Sequence, residues 1–350
     1  MPHWKKILAD SVTAPGEVAA AFGLDPRDVE SVLIHYPALI NAYYRRLCME
    51  AGEPLIRQVV PDTREISLYN QACSDDPICE ETWSPVPNLT HRYHDRVLFI
   101  VSSLCPVYCR FCTRKRKVGR SLEVTSDTLR RGFSYIAKHP EIRDVLISGG
   151  DPLLLEDDQL SFILENLRLI RHVEILRIGT RVPAALPQRV TRKLAFLLSS
   201  QGPLYVHTHF NHPAEITPES QEACRLLADA GIPLSNQTVL LRGINDDPNI
   251  LEHLFRALLT MRVRPYYLFQ VDMVRGAEHF RVPLARGIGI VDDLLRRTSP
   301  MALPIFAVDL PGGAGKAFPS SQCILNPGES KQAVVTPQGD EVPYTDPDLA

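Results

Sequence analysis

The sequence has no long apolar run. Its longest uninterrupted stretches, such as Val97 to Val101 and Leu194 to Leu198, fall far short of the roughly 20 residues a helix needs to cross a bilayer, so no membrane partner is expected. Nor is there an excess of basic charge. Lys plus Arg number 38 against 41 Asp plus Glu, for a net charge of -3, which argues against a polyanion-binding surface and hence against nucleic acid. Met1 to Asp10 carries two lysines but no apolar stretch followed by a small-residue cleavage site, so no secretory leader is expected and the cytoplasm is the expected compartment. In that compartment the eight cysteines do not read as disulfide staples.

What is present is an ordinary globular mixture, 45% hydrophobic and 23% charged, in a chain long enough for two domains or one large barrel. Before residue 96 the pattern is helical at Pro15 to Phe22, Asp28 to His35 and Ala38 to Ala51. From Pro61 to Pro87 it becomes a Pro-, Asp-, Ser- and Thr-rich arm with little periodicity. Short β-branched runs then begin near Val97, Val145, Ile175, Leu204, Leu234, Tyr266 and Ile305, most of them about 30 residues apart, which is the length of a βα unit. The intervals carry helical patterns at Thr125 to Lys138, Gln159 to Arg168, Pro187 to Leu198, Pro218 to Ala230, Ile250 to Thr260 and Ile290 to Arg297.

This alternation predicts an α/β fold with a parallel sheet, open or closed into a barrel. Chemistry in such folds gathers at the carboxyl ends of the strands. Polar residues stand there: Ser148-Gly149-Gly150-Asp151 after the second strand, Thr180-Arg181 after the third, His207 and His209 at the fourth, Asn236-Gln237 in the fifth, Asp272 after the sixth and Asp309 in the last.

Cys105, Cys109 and Cys112 fall within eight residues, in the first βα loop. Thiolates at this spacing suit one soft metal centre. A cubane iron–sulfur cluster normally takes four, so three leave one iron open to a small molecule. A zinc site is the competing reading, but it needs further ligands. Cys48, Cys73, Cys79, Cys224 and Cys323 read as core or surface thiols.

Near the C-terminus, Leu310 to Lys316 imitates a phosphate-binding loop but has Leu310 and Ala317 where that motif needs Gly and Ser or Thr. A lysine beyond a glycine run can instead form a Schiff base with pyridoxal phosphate. His207 and His209 alternate as a metal-binding HxH pair would, without further ligands in clear positions. A plain iron–sulfur electron carrier would have no use for such a lysine.

The run CPVYCRFC after a first barrel strand, with the glycine pair after the second, resembles the radical S-adenosylmethionine enzymes. VDLPGGAGK closely resembles the pyridoxal-lysine segment of the lysine 2,3-aminomutase family within them. Further segments match in order: THRYHDRVLF at 90–99, CRFCTRKR at 109–116, RIGTRVP at 177–183, THFNHPAEIT at 208–217, NQTVLLRGIND at 236–246 and EHFRVP at 278–283. The likeness runs from about Leu55 to about Val334.

The resemblance implies a partial TIM-type (β/α)6-like barrel over residues 91–310. A helical region and arm would precede it at 1–90, and the pyridoxal-lysine loop with a short extension would follow at 311–350. It implies a [4Fe-4S] cluster on Cys105, Cys109 and Cys112, S-adenosylmethionine held by Ser148, Gly149, Gly150, Asp151, Thr180, Arg181, His209 and Gln237, and pyridoxal 5′-phosphate bound by Lys316 with Arg92, Tyr93 and Arg96 around it.

Arg114 becomes the partner of the substrate α-carboxylate, and Asp272 with Asp309 grips the side-chain ammonium of L-lysine, where the related glutamate enzyme carries other residues. The implied activity is an isomerase converting L-lysine to β-lysine, fed by a low-potential electron donor, in a homo-oligomer. The alternative is a related aminomutase acting on another amino acid, or on lysine for modification of a translation elongation factor. The family's zinc site needs C-terminal cysteines and a partner cysteine. The tail has none after Cys323 and Asp247 stands at the partner position, so structural zinc is not expected.

Overall fold

The structure, a computed structural model, describes residues 2–119, 124–320, 324–325, 331–335 and 340–347. Six helices come first: α1 (His3–Ala9), α2 (Pro15–Phe22), α3 (Pro26–Leu33), α4 (Ala42–Ala51), α5 (Glu53–Val59) and α6 (Arg64–Ser67). Their starts follow from capping. The Asp25 side chain accepts from the Arg27 amide with Pro26 in the first turn, and that of Asn41 accepts from the Tyr44 amide. These helices close a core of their own around Val18, Val29, Ile40, Tyr44, Leu47 and Leu55, which also takes in Val107 of the cysteine loop.

The remainder is a single curled sheet wrapped in helices. Its strands are β1 (Leu89–Tyr93), β2 (Arg96–Ser102), β3 (Asp144–Gly149), β4 (Ile175–Gly179), β5 (Leu204–Thr208), β6 (Leu234–Leu240), β7 (Val263–Gln270), β8 (Ile305–Leu310) and β9 (Gly315–Ala317), paired in sequence order. β2 to β8 are parallel, while β1 and β9 run antiparallel at the two edges.

Six helical crossovers join the seven parallel strands: α7 (Ser126–Lys138), α8 (Asp157–Arg168), the pair α9 (Val182–Ala185) and α10 (Arg192–Ser199), α11 (Pro218–Asp229), α12 (Pro248–Thr260) and α13 (Leu284–Arg297). All seven strands expected from the rhythm are present, in the partial (β/α)6 barrel they imply. Val145, Ile147, Leu176, Ile178 and Val206 point outward into the main core under the helices. The alternate residues, such as Leu146 and Arg177, line the hollow of the curl, half-buried.

Two helices depart from expectation. The third crossover is expected from Pro187, but Pro187–Arg189 forms a separate 3-10 turn, and the α-helix starts at Arg192 behind its Thr191 cap. α13 begins at Leu284, six residues before its expected start, because Gly287 and Gly289 mask the helical pattern. A Cβ on Gly287 would lie 2.5 Å from the Phe306 ring, so the glycine is what lets this helix seat on β8.

β1, β9 and a small antiparallel sheet of β10 (Ile324–Leu325), β11 (Lys331–Val335) and β12 (Glu341–Thr345) are not foreseen. Asp247, at the position where a zinc-binding partner cysteine is expected, caps α12 by accepting from the Asn249 amide. Cys323 lies outside the described residues. Among the described residues no helix is long and apolar enough to cross a membrane.

Candidate active site

The site is assembled at the carboxyl end of the sheet, and its first component is the loop after β2. Cys105, Cys109 and Cys112 are free thiols here. The N-terminal helices and the segments between them hold this loop in place. The Tyr108 amide donates to Leu39 O and the Arg110 amide to Gln58 O, while Asn41 Nδ2 donates to Pro106 O and Ala185 O. The Arg110 guanidinium donates to Pro37 O, Tyr36 O and both oxygens of Glu65, and Lys115 Nζ donates to Glu65 at 2.6 Å. This Arg–Glu–Lys triad is buried, so the loop is pinned by charges that cannot fall back on water.

The second component is the turn after β3. Gly149 has φ of +153°, and a Cβ on it would stand 2.3 Å from Ser102 O; one on Gly150 would stand 2.1 Å from Leu104 O. The glycines therefore admit the backbone of residues 102–104, the entry to the cysteine loop, with the Gly150 amide donating to Ser102 O at 2.7 Å. The close approach that the two glycines permit is thus made by protein backbone. The Asp151 carboxylate accepts from Thr180 Oγ1, the Arg181 amide and the Leu153 amide. It thus braces the ends of β3 and β4 together, and burial pushes its carboxyl up to about 6.

The third component is the lysine end. Lys316 lies on β9, a strand rather than a loose loop, and its Nζ donates to both oxygens of Asp309 at 2.8 and 2.7 Å, 4.1 Å from the Phe269 ring centroid. The curl brings the far edge of the sheet here: a Cβ on Gly315 would lie 3.4 Å from an Arg92 guanidinium nitrogen. Arg92 and Arg96 both sit over the Tyr93 ring, 5.3 and 4.1 Å from its centroid. Thr113 donates to Asp272, and burial followed by the neighbouring Asp309 charge pushes the Asp272 carboxyl up to about 7. Arg114 donates through Nε to Glu80 at 2.8 Å. Its charge is also felt at Asp272.

The structure thus brings Arg114, Asp272, Asp309 and Lys316 together, with Arg92, Tyr93 and Arg96 beside them. His209 tilts against Phe111 of the cysteine loop at 5.8 Å, kept neutral by burial and by Arg181, with its ionisation lowered to about 3. Gln237 lies half-buried on β6. Sequence reasoning missed Glu65, Glu80, Tyr44, Gln58 and Glu215. For Glu80 the missed signal was charge matching, since Arg114, Arg116 and Lys117 pair with Asp76, Glu80 and Glu81 of the arm.

The residues fit the groups the motifs imply. Among the described residues no three His, Cys, Asp or Glu side chains converge as ligands of one ion would. A cubane cluster takes each thiolate on a separate iron, so the three thiols need not converge on one point to hold it. Burial and their mutual repulsion push Cys105 well above the usual thiol range and Cys112 up to about 11, and iron supplies the positive charge that reverses this. Tyr93 Oη, His209 Nε2 and Arg181 Nε are buried without partners, polar atoms available to a bound cofactor.

Residues 99–254 match the Radical SAM superfamily model. The chain is 47% identical over 298 residues to the L-lysine 2,3-aminomutase of Fusobacterium nucleatum, covering 84% of this chain and 69% of that one. It is 44% identical over 317 residues to the L-lysine 2,3-aminomutase of Clostridium subterminale, covering 87% and 76%. It is also 42% identical over 350 residues to the glutamate 2,3-aminomutase of Clostridioides difficile, covering 98% and 82%. With the cysteine triplet, the glycine turn and the lysine strand in one barrel mouth, the chain is a radical S-adenosylmethionine isomerase and belongs to the lysine 2,3-aminomutase family.

Proposed function

We propose that the protein is an L-lysine 2,3-aminomutase, moving the α-amino group of L-lysine to its β-carbon. One observation carries the choice of substrate: Asp272 and Asp309 follow or end neighbouring strands beside Lys316, close enough that the charge of Asp309 opposes ionisation of Asp272. Two carboxylates that repel each other in a cleft are stabilised by a cation placed between them, and a substrate with a second carboxylate would worsen the repulsion. Arg114 offers a planar guanidinium for the α-carboxylate. Arg92 and Arg96 offer charge for a phosphate, and Lys316 the amine that anchors pyridoxal phosphate.

When bound, the cluster and S-adenosylmethionine supply a carbon-centred radical, and pyridoxal phosphate supplies the π-system that eases nitrogen migration. The chain's own residues hold the ammonium and carboxylate ends of the substrate, fix the distance between its β-carbon and the cluster side, and exclude water. Exclusion falls to the arm: Pro77 O accepts from the Gly312 amide, and Ser74 pairs with Val274. A low-potential electron donor, a cytoplasmic location and a homo-oligomeric state belong to the same reading.

The test is anaerobic reconstitution with iron, sulfide and pyridoxal phosphate, followed by lysine or glutamate with S-adenosylmethionine and dithionite. β-Lysine with no β-glutamate is expected. A full cluster without β-lysine, or a preference for glutamate in direct competition, overturns the proposal.

A further inference from the structure

Arg181 follows β4 and reaches back into the cysteine loop. Its Nη1 donates to Cys109 Sγ, while Nη2 donates to Glu215 Oε1 at 2.9 Å, Tyr44 Oη at 3.0 Å and Gln58 Oε1 at 2.6 Å. The guanidinium also lies over the rings of Tyr44 and Phe111, each at 5.4 Å. Every one of these partners is nearly or fully buried except Cys109. Glu215 is itself fixed, accepting from the amides of Asn211 and His212 and from Tyr44 Oη. Only Nε is unpartnered, so this side chain is committed mainly to a cysteine and to the N-terminal helices.

We propose that Arg181 is a positioning residue for the iron–sulfur cluster, a hydrogen-bond donor to the Cys109 ligand that raises the cluster's reduction potential before any S-adenosylmethionine binds. A cation donating to a coordinating sulfur draws electron density from the iron and favours the reduced, more negative cluster. Glu215 opposes this from the far side of the guanidinium, so the nearer positive charge dominates at Cys109. Tyr44 on α4 and Gln58 on α5 hold the fork, which makes the helical region part of the electronic environment of the cluster. The inference rests on the family and not on the choice of substrate, so it survives if lysine proves to be the wrong amino acid.

The test is a redox titration of the anaerobically reconstituted protein without S-adenosylmethionine, followed by electron paramagnetic resonance, with iron content and S-adenosylmethionine affinity measured in parallel. The double variant Arg181→Gln/Glu215→Gln removes the guanidinium without leaving a buried carboxylate unpaired. It is expected to keep a full iron complement and to titrate at a more negative potential than the parent. Tyr44→Phe, which keeps the packing and the charge but frees one edge of the fork, should shift the potential the same way by less. An unchanged potential in an iron-replete double variant, with only S-adenosylmethionine affinity reduced, overturns the proposal and makes Arg181 a cofactor contact. If the double variant does not retain iron, Tyr44→Phe decides: an unshifted potential there overturns it equally.

Discussion

At the cysteine end of the barrel mouth, Glu65 lies between Arg110 and Lys115, and Arg181 lies against Glu215. At the lysine end, both oxygens of Asp309 accept from Lys316, while Asp272 accepts from Thr113 and has its carboxyl pushed up to about 7. The first end is electrostatically complete and braced by helices from outside the barrel. The second leaves Asp272 without an ion pair among the described residues and sits where the two edges of the sheet approach each other. The difference matches the tasks: a cluster needs fixed ligands, whereas a site that admits a cationic substrate keeps a charge for it to neutralise.

The comparison breaks most decisively at the thiols. Cys105→Ala, Cys109→Ala and Cys112→Ala should each abolish the brown chromophore and the release of deoxyadenosine, while Cys48→Ala and Cys224→Ala, both buried in helices outside the loop, should retain the cluster. Iron analysis and visible absorbance decide it, and a full iron complement in any triplet variant would contradict the ligand set.

Next in size is the buried triad. Glu65→Gln leaves Arg110 and Lys115 in the interior without their counter-charge, and breaking such a buried pair typically costs about 3–5 kcal/mol. Burial already lowers Lys115 to about 8 even with Glu65 present. Chemical denaturation of the variant should show the loss. A change of only a few tenths of a kcal/mol would mean that the cysteine end is not held by charge.

Much of this was legible in the sequence, for physical reasons that differ from part to part. The seven parallel strands could be read because buried strands are continuous apolar runs at a steady interval. The cysteine triplet and Lys316 could be read because their chemistry needs those residue types at fixed spacing. β9 could not, since Gly315–Ala317 is too short and glycine-rich to look like a strand, and its pairing with β8 is long-range information. Nor could the partners of Arg181, because Tyr44, Gln58 and Glu215 are brought to it only by folding. The role of Gly149 and Gly150 was half legible: the sequence marks a close approach without saying that Ser102 and Leu104 make it.

The lysine end is tested by removing its carboxylates one at a time. Asp272→Ala should lower turnover of lysine by about 10²-fold or more, the loss expected when one partner of a buried ion pair is removed, while covalent attachment of pyridoxal phosphate at Lys316 persists. Asp309→Ala should lose as much turnover and also alter cofactor uptake, because both Asp309 oxygens accept from Lys316 Nζ. Borohydride trapping and steady-state assays separate the two. Equal behaviour in both assays would erase the distinction between a carboxylate that serves the substrate alone and one shared with the lysine.

The smallest effect concerns pH. Asp272 has its carboxyl raised from an ordinary 3.8 to about 7 by burial and by Asp309, so the folded chain holds this proton more tightly than the unfolded one. Its contribution to stability is therefore full below about pH 4 and is lost as pH rises towards 7. His207 and His209 act in the opposite sense. Burial lowers them to about 4 and about 3, so their contribution is full above about pH 6.5 and is lost on acidification. Asp272→Asn cannot ionise and can still accept from Thr113. It should match the parent near pH 4 and exceed it by roughly 1–2 kcal/mol at pH 8, the figure being discounted for the partial solvent access of the side chain. Thermal or chemical denaturation of the cofactor-free protein across this range reads the difference directly. Added lysine should narrow it, since an ammonium beside Asp272 restores the ionised form in the parent. A stability difference that is flat with pH would mean that Asp309 does not reach Asp272 and that the lysine end is no more charge-deficient than the cysteine end.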